Sequence, residues 1–250
     1  MAEEPTCVLS VAGFDPSAGA GLLADIKTFE QHKVYGLSIN TANTLQTENK
    51  FHSIQWEKIE SVLNALKVML NSYSIEVIKI GIVPSFEYLS QLVHYIKNKN
   101  SQIKIVVDPI IKSSTGFDFQ KTIDKKELIF VLKNIYLITP NMQEAILLTN
   151  TVDSKEAAKQ LSEHCNVLLK GGHNEKETGI DYLYMKDERI ELKPTLNNLS
   201  AKHGSGCVLS AAITANIALG QDLKTSCVEA KKYVEHFLNS NKSLLGFHNV

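Results

Sequence analysis

The stretch Ala201-Lys-His-Gly-Ser-Gly-Cys-Val-Leu-Ser-Ala-Ala212 sets two glycines and a cysteine at the start of a helical pattern. The residues that follow, 208 to 219, are small or apolar on nearly every face, as in a buried helix. First-turn N–H groups have no partner within their own helix, so Gly204, Ser205, Gly206 and Cys207 offer donors to an anion such as phosphate. Cys207 itself has two readings. It is a small apolar filler behind a tight turn, or a thiol whose pKa the helix dipole lowers from ~8.5 toward neutrality, fit to act as a general base. A redox role has less support, because no nearby cysteine could resolve an oxidised form.

Other candidate groups are spread along the chain. Gly13-Phe-Asp-Pro-Ser-Ala-Gly-Ala-Gly21 is glycine-rich but matches neither Gly-x-Gly-x-x-Gly nor the P-loop pattern, so both of those nucleotide motifs are rejected. Asp108 ends an apolar run before Pro109, and Glu144 lies one turn into a helix that Pro140 and Asn141 start. Two such carboxylates suit magnesium, directly or through water, although Glu144 is equally an ordinary first-turn acid. Lys170, in Lys170-Gly-Gly-His173, is either a cation for nucleotide phosphates or a solvated lysine before a turn. His203 has no second His or Cys at ligand spacing and reads as a loop histidine. The amide of Gln46 donates and accepts at once, which suits a heterocycle edge, though a polar strand end needs no such reason.

These groups fall at the ends of β-rich apolar runs, which must place them. Residues 7–12, 35–42, 77–80, 103–107, 135–139 and 167–170 read as strands, alternating with helical patterns at 22–31, 56–71, 86–98, 125–133, 143–148 and 155–164. A hairpin is expected over 179–185 and 189–193, and helices over 207–219 and 223–240. Repeated β-then-α order predicts an α/β protein with a mostly parallel central sheet between helical layers, in one domain spanning 1–250. Ligands of such sheets sit beyond the carboxyl ends of the strands.

Composition narrows the partners. A formal net charge of -1 without a basic block points to small molecules, with no nucleic acid and no membrane surface. No apolar run approaches the ~18 residues of a spanning helix and the first residues are acidic, so a cytoplasmic protein is expected. Cys7, Cys165, Cys207 and Cys227 are scattered and read as free thiols.

Taken in order, Ala12-Gly13-x-Asp15-Pro16-Ser17-x-Gly19-Ala20-Gly21 with Asp25-x-Lys27-Thr28, Thr41-Ala42 through Gln46, Lys79-Ile-Gly81, Val107-Asp108-Pro109, Leu137-Ile-Thr-Pro-Asn141 with Glu144, Leu169-Lys170-Gly-Gly-His173 and His203-Gly-Ser-Gly-Cys207 resemble the blocks of bacterial hydroxymethylpyrimidine/phosphomethylpyrimidine kinases of thiamine biosynthesis. That resemblance implies a ribokinase-like three-layer α/β/α sandwich using ATP and Mg2+. It implies phosphorylation of hydroxymethylpyrimidine and then of its monophosphate, in a homodimer. In the implied site Cys207 is the base and Gly204, Ser205 and Gly206 form the anion hole. Gln46, Gly13, Asp15, Asp25 and Ile82 line the substrate pocket; Asn141, Glu144, Lys170, Gly171 and His203 meet the nucleotide; Asp108 and Glu144 meet the metal. Ala18, Phe14, Ile82 and Ile111 depart from the family pattern around the pocket, which leaves a pyridoxal or pyridoxine kinase as the alternative, and behind it a non-catalytic pyrimidine-binding sensor.

Overall fold

A computed structural model of the chain describes residues 5–111, 123–172, 179–186, 188–196 and 199–248. In chain order the elements are β1 (Cys7–Phe14), α1 (Gly21–Gln31), β2 (Tyr35–Gln46), β3 (Phe51–Trp56), α2 (Ile59–Ser72), β4 (Ile75–Ile80), α3 (Phe86–Lys99), β5 (Lys104–Val107), α4 (Lys125–Asn134), β6 (Leu137–Ile138), α5 (Met142–Thr149), α6 (Ser154–Ser162), β7 (Asn166–Leu169), β8 (Asp181–Met185), β9 (Glu188–Leu192), α7 (Ser205–Ala218) and α8 (Leu223–Asn239). The strands form one nine-stranded sheet in the order β3-β2-β1-β4-β5-β6-β7-β8-β9. Its centre, β2 through β7, is parallel, while β3, β8 and β9 pair antiparallel at the two edges.

Side-chain alternation along each strand divides the core in two. Leu9 and Val11 of β1, Ile78 and Ile80 of β4, and Ile105 and Val107 of β5 pack with residues of α2 to α6. Val8, Val77 and Val106 point the other way, into the layer of α1, α7 and α8. The expected three-layer sandwich is therefore the observed one. In α7 every residue from Cys207 to Ile217 is buried, so the helix lies deep within its layer with only its two ends near the surface.

Two expectations are corrected. Trp56 does not begin the helix of residues 56–71; it closes β3, and α2 starts at Ile59. β3 went unread because its burial is sparse, with only intermediate and exposed positions, so its apolar pattern is weak. His173, and the hairpin tip at Asp187, lie outside the described residues.

Candidate active site

Two helix amino ends meet at Cys207. Gly204 occupies the left-handed region at φ 74° as the N-cap of α7, and no side chain caps the helix or places an acid in its first turn. The first-turn donors of Ser205, Gly206 and Cys207 are thus left for an incoming anion. Gly204 to Gly206 are partly exposed while Cys207 is buried beneath them. The Gly21 N–H, at the start of α1, favours the charged form of the Cys207 sulfur. Gly21 has φ 60°, and a Cβ there would overlap the Gly13 carbonyl oxygen, so glycine is required.

Cys207 corrects the expectation of a thiol near neutrality. Burial pushes its pKa up to about 11; the Lys79 ammonium and the Gly21 N–H pull down, and the carboxylates of Asp108 and Asp25 push up. Desolvation of the buried sulfur outweighs the helix-end dipole, and at neutral pH the group is a thiol.

Facing the α7 amino end, the strand ends supply charge. Lys170, just after β7, donates to Asp108 Oδ1 at 2.7 Å and lies 3.9 Å from Glu144 Oε2. A Cβ on Gly206 would stand 3.3 Å from Lys170 Nζ and 3.8 Å from Asp108 Oδ2, which puts this cluster against the helix end. Lys170 is therefore no solvated surface lysine. Burial disfavours its charge, yet Asp108 and Glu144 raise its pKa above the ordinary value. Asp108 is buried, but Lys170 and Lys79 hold its carboxyl below the usual range. Glu144 goes the other way: burial and the nearby Asp108 outweigh Lys170 and push it to about 7.

Asn141 and Glu144 close a capping box at the start of α5, with Asn141 Oδ1 accepting from the Glu144 N–H at 2.9 Å and Glu144 Oε2 from the Asn141 N–H at 2.7 Å. The structural and the charged readings of Glu144 thus hold together. Gly171 is buried, donates to Asp181 Oδ1 at 2.8 Å, and has no room for a Cβ against the Ile180 carbonyl. It shapes the turn after Lys170.

On the substrate side several expected contacts turn out to be supports. Asp15 is 1% exposed and accepts from Ser17 Oγ (2.8 Å), the Ala20 N–H (2.9 Å) and His203 Nε2 (2.9 Å). Burial raises its pKa, but the bonds from His203 and Ser17 prevail and hold it below the ordinary value. His203, expected at the nucleotide, is instead a buried link between the loop after β1 and the amino end of α7. Asp25 has no exposed surface and cannot line a pocket; its Oδ1 pairs with Lys79 Nζ at 2.5 Å. Ile82 is buried against Gly13, whose Cβ would fall 2.8 Å from Ile82 Cγ2. Gln46, half-buried at the end of β2, keeps an accessible amide, with Nε2 donating to Thr44 Oγ1 at 2.9 Å.

Sequence reasoning missed Ser10 and Lys231, and gave no individual role to Lys79 and Thr139, although both stand in its strand-end blocks. Lys79 and Ser10 break the apolar alternation of central strands, a visible signal. Lys231 of α8 donates to Asp181 Oδ2 at 2.7 Å and so supports the Gly171 turn, but nothing local in α8 announces it. None of the four cysteines is in a disulfide, as expected.

For a metal, the described residues contain no group of three His, Cys, Asp or Glu side chains that could hold an ion. The oxygen pair of Asp108 and Glu144, already converging on the Lys170 cation, suits a hard cation that brings its own waters and phosphate oxygens.

A parallel sheet of this order, with an uncapped glycine-cysteine helix end over a Lys170, Asp108 and Glu144 cluster, defines the class: a small-molecule kinase of ribokinase-like fold. The model of the phosphomethylpyrimidine kinase family matches residues 15–249, and the chain belongs to that family. It is 32% identical over 247 residues to the hydroxymethylpyrimidine/phosphomethylpyrimidine kinase of Aquifex aeolicus, covering 94% of this chain and 95% of the relative. Among solved structures, the phosphomethylpyrimidine kinase of Clostridium difficile matches with a TM-score of 0.77 and 30% identity over 91% of this chain and 97% of that one. The pyridoxal kinase of Staphylococcus aureus in complex with AMP-PCP and pyridoxal has a TM-score of 0.83 and 25% identity over 98% and 94%. No helix among the described residues is long and apolar enough to cross a membrane.

Proposed function

We propose that this kinase, acting as one domain over 1–250, transfers the γ-phosphoryl of ATP to hydroxymethylpyrimidine and then to the resulting monophosphate. The observation that carries the reading is the α7 amino end, uncapped and flanked by Lys170 and Asp108, with Cys207 as its last free donor. N–H groups of Ser205, Gly206 and Cys207 stabilise charge on the transferring phosphoryl, and Lys170 adds a cation. The hydroxymethyl oxygen gives its proton to the Cys207 sulfur as thiolate, forms the new O–P bond, and the bond to the ADP leaving oxygen breaks. Magnesium, brought with ATP, would supply neutralisation of phosphate charge, and Asp108 and Glu144 would be the residues to orient its waters.

Gln46 reads the edge of the heterocycle, while Asp15, Gly13 and Ile82 fix the loop that encloses it. A homodimer is the expected assembly, which light scattering after size-exclusion chromatography measures. The defining experiment is mass spectrometry of products after incubation with Mg-ATP and the pyrimidine alcohol: mono- and diphosphate are expected. The pyridoxal reading has its support in the fold likeness to the Staphylococcus aureus enzyme. Pyridoxal turned over with a kcat/KM well above that of the pyrimidine would replace the present reading.

A further inference from the structure

A lysine and an aspartate lie fully buried beneath the site, with no part in the scheme so far. Lys79 and Asp25 have no exposed surface, and their side chains pair at 2.5 Å. Ser10 Oγ donates to the other oxygen of Asp25 at 2.6 Å, so both carboxylate oxygens accept and the ionised form is served. Burying such a pair costs several kcal/mol per ion before its own attraction offsets that, and apolar residues of the same volume are often as stable or more so. A stability role alone is therefore a weak reason for a lysine in the middle of a central strand.

Position gives a better reason. On α1, Gly21 and Asp25 are four residues apart and share one helix face. The start of α1 lies against the start of α7, where a Cβ on Gly204 would stand 2.8 Å from Ala20 Cα, and Asp25, on the face of Gly21, holds Lys79. Lys79 Nζ lies 3.9 Å from where a Gly81 Cβ would stand; the Ile80 carbonyl at the end of β4 accepts from the Asp108 N–H at 2.9 Å, and Asp108 Oδ2 lies 3.8 Å from a Cβ placed on Gly206, so the carboxyl end of β4 sits beside the amino end of α7. Five groups surround the thiol electrically: Lys79 from β4, the Gly21 N–H and Asp25 from α1, Asp108 after β5 and Lys170 after β7. Of these, Lys79 does most to favour the thiolate, and in turn Asp25, with Cys207 and Asp108, lifts the Lys79 pKa against its burial.

We propose that Lys79, fixed by Asp25 and Ser10, is a positioning residue that keeps a permanent ammonium beneath Cys207 so that the buried sulfur can carry negative charge when it takes the acceptor's proton. The proposal rests on Cys207 being the base. It explains why a cation is buried where no ligand reaches it, and why its partner sits on the helix whose amino end lies against that of α7.

Lys79→Met alone strands a buried carboxylate and threatens folding, so the informative protein is Lys79→Met/Asp25→Asn, which removes both charges together. The parent is expected to show kcat rising with pH along a limb that Cys207→Ala abolishes. In the double variant that limb moves up by about one pH unit or more, while the KM for ATP stays within about twofold. Iodoacetamide labelling of Cys207 in the ligand-free protein, followed by peptide mass spectrometry at pH 9, slows by about tenfold or more, since below the pKa the thiolate fraction falls tenfold per unit. If the Cys207-dependent limb and the labelling rate are both unmoved in the folded double variant, the role of Lys79 is overturned and Cys207 stands. If the parent's limb survives Cys207→Ala, the base assignment itself falls and this proposal falls with it.

Discussion

A Cβ placed on Gly204 would overlap the carbonyl oxygen of Gly19, so the loop before α7 and the loop after β1 touch backbone to backbone. Gly204 also has φ 74°, where a side chain is strained. The contact joins the uncapped helix end proposed to bind phosphate to the loop proposed to enclose the acceptor. Gly204→Ala should therefore cost ~2 kcal/mol or more of stability and lower kcat/KM by about a hundredfold or more, measured by urea denaturation and steady-state kinetics. Wild-type turnover would show that the junction yields without moving the donors.

The same two loops are tied by His203 and Asp15. Removing the imidazole leaves a buried carboxylate with only Ser17 and the Ala20 N–H, a loss of a buried charge-assisted bond worth about 1.5–3 kcal/mol. His203→Ala is expected to lower the melting temperature and to raise the KM for the pyrimidine more than the KM for ATP. A larger effect on ATP would return His203 to the nucleotide side.

Ala18 explains one departure from the family pattern. It stands where a glycine is usual and has φ 57°, a left-handed conformation that costs a non-glycine residue roughly 1–2 kcal/mol. Ala18→Gly relieves that strain but gives the unfolded chain more freedom, worth about 0.4–1 kcal/mol in the opposite sense. A net gain of up to ~1 kcal/mol with unchanged kcat is expected from denaturation and kinetics.

The sheet was legible because its central strands are short apolar runs separated by helical patterns, and their order forces parallel crossovers. The edge strand β3 was not, since its alternation is weak. In the site, residue types pointed to Cys207, Asp108, Glu144 and Lys170, and the structure gathers all four at one place. What composition cannot convey is depth. A helix amino end and an acidifying dipole are visible in Gly-Ser-Gly-Cys, but the desolvation that overrides the dipole depends on layers contributed by α1, β4 and β5. Asp25 and His203 were placed at ligands by the family resemblance alone, and a matching block does not carry the depth at which the structure buries both.

Cys207→Ala keeps the N–H donors of the α7 turn and removes only the proton acceptor. kcat should fall by ~10²–10⁴, the usual contribution of a general base, with the Kd for ATP changed less than threefold by calorimetry. Turnover equal to the parent's would remove the thiol from the mechanism.

Glu144 makes the pH dependence testable in the ligand-free protein. Burial and Asp108 bring its pKa to about 7 from the ordinary 4.5, so in the folded state it holds its proton where the unfolded chain has lost it. Between those two values the native state binds more protons, and stability falls as pH rises. The contribution is fully present below about pH 4.5 and is lost through about pH 7. The size is on the order of 2 kcal/mol, somewhat under the full shift because Lys170 and Asp108 titrate together with it. Glu144→Gln keeps the capping-box geometry without the titration. Urea denaturation from pH 5 to 8 is expected to show the parent losing stability relative to Glu144→Gln across that range, with the two converging toward low pH. Parallel curves would mean that the carboxylate is ionised throughout and that Lys170 neutralises it fully. The same variant should need more magnesium for half-maximal turnover, because it removes one of the two carboxylates proposed to orient the metal's waters; an unchanged magnesium titration would take Glu144 out of that role.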